Sequence, residues 1–144
     1  MDIGVPAETK TAERRVGLTP AATGELVNRG HRVVVETGAG EGAGFSDVNY
    51  KEVGAVIVGT AIEAFSDAEM IVKVKEPLAP ERALLNPHHT LFTYLHLAAD
   101  RPQTDELMAS GATCIAYETV TDDDGRLPLL APMSAIAGRM SIQA

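Results

Sequence analysis

The sequence predicts an α/β fold: a doubly wound, mostly parallel sheet with helices on both faces, Rossmann-like or flavodoxin-like, ending in a short hairpin and a linker helix. Three observations carry this. Short, β-branched apolar runs alternate with helical patterns along nearly the whole chain. The links between them are short, so each return to the sheet is a crossover, which joins parallel neighbours and is normally right-handed. The length, 144 residues, and a composition of 45% hydrophobic and 22% charged residues suit one ordinary domain with a real core.

Asp2 to Val5 reads as the first strand, followed by a polar loop from Ala7 to Leu18. Thr19-Pro20 supplies an N-cap and a proline at the first helical position, and Gly30 closes that helix. Arg32 to Glu36 is the next strand and leads into Gly38-Ala-Gly-Glu-Gly-Ala-Gly44. Ser46-Asp47 caps a short helix to about Val53, after which Ala55 to Val58 is a strand and Ala61 to Phe65 a helix. Two further cycles follow: strand Met70 to Lys75, helix Pro80 to Leu85, strand Thr90 to Leu95, helix Pro102 to Ser110 and strand Ala112 to Glu118. Beyond a turn at Asp122 to Gly125, Leu127 to Leu130 is expected to return as a short antiparallel strand, and Met133 to Ala144 to form a helix. That helix carries no stop signal, so the expectation is either that a longer protein has been cut here or that the terminus frays.

The net charge is −8 and no run of Lys or Arg occurs, so phosphate backbones and anionic lipid are repelled; neither nucleic acid nor a membrane is an expected partner. The N-terminus lacks a basic segment and no apolar run approaches about 18 residues, which makes a cytoplasmic location the default expectation. Cys114, the single cysteine, lies in an apolar run and is expected to be an inert core thiol. No Cys/His spacing suggests a metal and no Ser/His/Asp order suggests a triad.

Gly38-x-Gly40-x-x-Ala43 has the spacing of a dinucleotide-binding turn, but its surroundings disagree. Phe45-Ser46-Asp47 separates the glycines from the next helix, Glu41 would repel a pyrophosphate, and the following strand ends in Val58-Gly59-Thr60 without an acid for a ribose. The expected role is a structural loop needing positive φ or close backbone approach.

Ligands of open α/β sheets bind outside the carboxyl ends of the strands. There the pattern places Arg14 and Arg15, in the loop after the first strand, Lys75 and His96. Arg grips a carboxylate bidentately, Lys bonds a neighbouring oxygen, and His exchanges a proton near neutral pH. Taken singly these residues have plainer readings: Lys73 and Lys75 as the wet face of an edge strand, His88-His89 as an exposed turn. Spacing alone reaches a small anionic ligand at the sheet edge.

Gly4-Val-Pro-Ala-Glu-Thr-Lys10 with Arg15-Val-Gly-Leu-Thr-Pro20, the glycine loop, Val72-Lys-Val-Lys-Glu-Pro77, Leu91-Phe-Thr-Tyr-Leu-His-Leu-Ala98 and Leu129-Leu-Ala-Pro-Met-Ser134 together resemble the N-terminal part of the alanine dehydrogenase family, essentially end to end. The related transhydrogenase α-subunit family lacks a histidine at the counterpart of His96. The resemblance implies reversible oxidative deamination of L-alanine to pyruvate and ammonia with NAD. It implies that Arg15 and Lys75 bind the substrate, that His96 is the catalytic acid/base, that Tyr94, Leu130 and Met133 wall the pocket, and that Ser134 touches the cofactor. It also implies a substrate domain over 1–131, the start of an interdomain helix over 132–144, an NAD-binding Rossmann domain absent from this chain, and hexamers in the full-length family. Ala135 stands where the family usually carries Glu. The isolated chain is then expected not to turn over; the rival readings are a non-catalytic module binding pyruvate or an amino acid, or joining an oligomer, and a transhydrogenase-like subunit.

Overall fold

The computed structural model describes residues 1–142. Six strands, β1 (Asp2–Val5), β2 (Arg32–Glu36), β3 (Val56–Val58), β4 (Met70–Val72), β5 (Thr90–Thr93) and β6 (Thr113–Ala116), form one parallel sheet in the order β3-β2-β1-β4-β5-β6. The register puts Val5 beside Val35, Ile71 beside Leu91 and Phe92 beside Ile115. Their continuous apolar runs are those of strands covered on both faces.

The helices are α1 (Pro20–Asn28), α2 (Asp47–Glu52), α3 (Ala61–Ser66), α4 (Ala79–Arg82), α5 (Arg101–Ser110) and α6 (Ala131–Met140). α1 begins as its sequence dictates: the Thr19 hydroxyl accepts the Ala22 N–H at 3.3 Å, and Gly30 leaves the helix at φ 85°. Because strand side chains alternate, two cores form. On one face Ile3, Val5, Val33, Val35 and Val72 pack with Leu26 and Val27 of α1 and Tyr50 of α2. On the other, Ile71 and Leu91 pack with Phe65 of α3, Leu85 and Leu107 of α5.

Four expectations are corrected. Leu127 to Leu130 form a turn and no terminal hairpin exists among the described residues; Pro128 has no N–H for a ladder, and Leu130 and Ala131 donate back to Leu127 O to open α6. The last helix starts at Ala131, with Pro132 in its first turn, and residues 143 and 144 fall outside the described range. β4 is a central strand, so Lys73 is buried rather than wet, its ammonium 2.7 Å from Glu81 and 3.5 Å from Glu8. His88 is exposed, but His89 is buried, with Nδ1 accepting the Asn86 N–H and Nε2 facing Phe65 O. Cys114 is half-buried, packed against the second core rather than inside it, and burial pushes its thiol pKa up.

The strand order reverses between β1 and β4. The loop after β1 and the segment after β4 therefore leave the sheet at the crevice where such folds bind ligands.

Candidate functional site

The loop after β1 is pinned over the strand ends. Ala7 N–H donates to Glu36 at 2.8 Å, and Gly17 presses against β4 so closely that a Cβ there would stand 2.5 Å from Val72 O. Glu8 turns inward, accepting the Val74 N–H at 2.6 Å and the Lys75 N–H at 3.2 Å. Burial raises the pKa of Glu8, and the Lys73 charge opposes that rise. The backbone carrying Lys75 is thus held by a carboxylate on one side and, through its carbonyl, by the Thr93 hydroxyl at 2.9 Å on the other.

Arg15 sits in the same loop with its guanidinium oriented by Glu13. One carboxylate oxygen accepts Nε at 2.8 Å and the other Nη2 at 2.6 Å, while Nη1 lies 2.8 Å from the Met133 Sδ. The Arg15 guanidinium holds the Glu13 carboxyl down to about 2, with a further contribution from the Lys75 charge. Glu13 takes one edge of the guanidinium fork and leaves the Nη1 side toward the crevice.

Tyr94 is buried, which raises its pKa, and its hydroxyl donates to Leu129 O. Its ring lies nearly parallel to that of His96, with centroids 6.1 Å apart and 14° between planes. His96 is exposed, and its backbone is left-handed, φ 50° and ψ 39°. For a non-glycine residue that conformation costs about 1–2 kcal/mol and persists only where the surroundings impose it. Glu118 supplies part of that: one oxygen accepts the Leu95 N–H at 3.0 Å and the His96 N–H at 2.7 Å.

Arg15, Tyr94 and Met133 line one cavity of about 680 Å³, walled otherwise by apolar groups such as Val72, Phe92 and Leu129. His96 and Glu118 line a second of about 400 Å³. Lys75, half-buried, lines neither; its charge is the smallest of the influences that lower the Glu13 pKa. Leu129 rather than Leu130 faces the first cavity; Leu130 serves as the N-cap residue of α6. Ser134 is exposed in the first turn of α6 and donates its N–H to Leu130 O. Arg14 is exposed and its backbone packs on Gly42, where a Cβ would stand 2.8 Å from Arg14 O.

The glycine loop uses its donors internally. The Gly38 N–H and the Thr37 hydroxyl both donate to Asp47, at 2.9 and 2.6 Å, and these two bonds lower the Asp47 pKa. At Gly40 a Cβ would meet Tyr50 Cε2 at 2.7 Å and Phe45 O at 2.8 Å. Asp47, at the start of α2, thus occupies donors of the turn from within the chain, and the Glu41 carboxyl lies beside Gly38.

Glu8, Glu13 and Glu118 are the functional candidates that motif reading passed over. A signal existed for two: Glu13 stands two residues before the candidate Arg15, and Glu118 follows β6 by two residues at the carboxyl edge of the sheet.

The family described as alanine dehydrogenase/PNT, N-terminal domain, matches residues 4–137. The chain is 55% identical over 143 residues to an alanine dehydrogenase of Mycolicibacterium smegmatis, covering 99% of this chain and 38% of that protein. It is 57% identical over 144 residues to an alanine dehydrogenase of Halomonas elongata, covering 100% of this chain and 39% of that protein. A solved L-alanine dehydrogenase superposes with TM-score 0.94 at 55% identity, over 99% of this chain and 39% of its own. A transhydrogenase from Sinorhizobium meliloti superposes with TM-score 0.77 at 28% identity, over 82% of this chain and 35% of its own. The chain thus spans about 38% of the length of the relatives it matches.

Proposed function

The chain belongs to the alanine dehydrogenase/PNT N-terminal domain family, and from that premise we propose that it is the substrate-binding part of an NAD-dependent L-alanine dehydrogenase, which interconverts L-alanine with pyruvate and ammonia. The supporting observation is that Arg15, after β1, and Tyr94, after β5, line one cavity, with His96 stacked on Tyr94 and Lys75 following β4, the strand between them. A cation with one fork edge open, an ammonium and an imidazole are the groups a small 2-oxo acid requires.

In this reading the substrate carboxylate docks on the Nη1 side of Arg15, displacing Met133 Sδ from contact, while Glu13 keeps the guanidinium in plane. Lys75 donates to the carbonyl oxygen of pyruvate and stabilises negative charge developing there. His96, exposed at the rim, passes the proton that the amine and carbonyl forms exchange. NAD, when bound, supplies the hydride acceptor; within this chain Ser134 is its proposed contact, and the glycine turn is assigned no part in holding it. Hydride transfer needs the nicotinamide fixed against the substrate carbon, so this chain alone is expected to bind pyruvate without reducing it.

The test is a chimera in which these 144 residues replace the matching part of the Mycolicibacterium smegmatis enzyme. The reading expects alanine-dependent NADH formation that falls by at least about 100-fold in His96→Ala, the scale of a general acid/base contribution. A folded chimera without activity, or one indifferent to His96→Ala, overturns it.

A further inference from the structure

We infer that Glu118 is the positioning residue of the acid/base His96, acting through the backbone. The inference rests on the role proposed for His96 and goes beyond it, since Glu118 touches no group that would meet substrate.

Three independent features converge. The His96 backbone is left-handed without being glycine, so something must impose the conformation. The Glu118 Oε1 accepts two consecutive backbone N–H groups, Leu95 at 3.0 Å and His96 at 2.7 Å, and its Oε2 lies 3.3 Å from the Leu95 nitrogen. Leu95 is itself locked: its side chain is 1% exposed and its carbonyl accepts Gln103 Nε2, from a residue equally buried. The charged acceptor closes the one end of this peptide that core packing leaves free. With the backbone fixed, the imidazole is delivered against the Tyr94 ring instead of swinging into solvent.

The same device appears one strand over. Glu8 accepts the consecutive N–H groups of Val74 and Lys75, where the chain leaves β4. Both candidate reactive side chains thus follow a peptide pair clasped by one carboxylate. Glu8, however, is also paired with the buried Lys73. Glu118 is the cleaner case, because among the described residues its carboxylate bonds only to these amides.

The experiment uses the isotopically labelled whole chain and reads three quantities: the Leu95 and His96 amide shifts, the cross-relaxation between the Tyr94 and His96 rings, and pyruvate affinity. In Glu118→Ala the two amides are expected to lose their charge-assisted downfield shift and the ring contact to disappear, with the amides of the other strands unmoved. Glu118→Gln keeps the Oε1 acceptor and is expected to retain the ring contact. Pyruvate affinity is expected to fall about tenfold in Glu118→Ala, one hydrogen bond to a charged group, and no further when that change is added to His96→Ala. If Glu118→Ala fails to fold, Glu118→Asp, whose carboxylate stops one methylene short, is expected to give the same loss of ring contact. Any folded Ala or Asp variant with unchanged His96 amide and ring contact overturns the inference. Wild-type chain that binds no pyruvate, or binds it equally well without Arg15, overturns the function proposed above, and the amide and ring readings still decide the clamp.

Discussion

Replacing Lys73 with Met removes the one cation from a buried cluster, and the structure sets the size of the effect. Its ammonium lies 2.7 Å from Glu81 and 3.5 Å from Glu8, and the three side chains are 1%, 5% and 3% exposed, so water cannot take its place. Removing one partner of a buried ion pair costs about 3–5 kcal/mol, because a charge is left uncompensated. Unfolding entropy of about 2.1 cal/mol/K per residue gives about 0.3 kcal/mol/K for a chain of this length, so the melting temperature should fall by about 10–17 °C at pH 7. The deficit should also depend on pH. Burial already raises the Glu8 pKa above 4.5, and loss of the Lys73 charge that opposes this raises it further. A raised folded pKa contributes stability that is complete below about 4.5 and is lost as pH rises through the folded value. The gap between wild type and Lys73→Met should therefore narrow on acidification. Circular-dichroism melts at pH 7 and pH 4.5 measure both quantities. A drop under about 3 °C at pH 7, or a gap of equal size at both pH values, would refute the reasoning.

Two further perturbations separate the parts of the site. Glu13, held down to about 2 by Arg15, contributes stability that is complete above about pH 4.5 and disappears as pH falls through 2; Glu13→Gln should flatten that acid limb in a series of urea titrations. Gly40→Ala drives a Cβ to within 2.7 Å of the buried Tyr50 and 2.8 Å of a backbone carbonyl, and should cost about 1–3 kcal/mol by urea unfolding; an unchanged midpoint would mean that the loop is not packed as described.

Periodicity exposed the alternation of strands and helices because each apolar run is short and bounded, and Thr19-Pro20 and Gly30 act locally in the chain as in the structure. Sheet order was not legible: nothing local to Met70-Ile-Val72 says that it lies between β1 and β5, which is why Lys73 reads as a wet-face residue until its partners Glu8 and Glu81 are brought in by long-range pairing. His89 fails for the same reason, since the Phe65 carbonyl that engages its ring lies 24 residues away. The terminal hairpin fails locally instead, at Pro128. In the candidate site, the cations and the imidazole stand out in the sequence because reactive residue types at strand ends are few. The carboxylates beside them do not, because Glu8, Glu13 and Glu118 look like any solvated acid until the amides and guanidinium they bind are placed.

The most direct measurement is a calorimetric titration of the pure chain with pyruvate, suited to a protein without tryptophan. A preformed site centred on Arg15 should give saturable heat with a dissociation constant of about 1 mM or tighter, weakened at least about tenfold in Arg15→Ala. Absence of heat from a chain shown to be folded, or binding that survives Arg15→Ala unchanged, would contradict the assignment of this crevice as a substrate site.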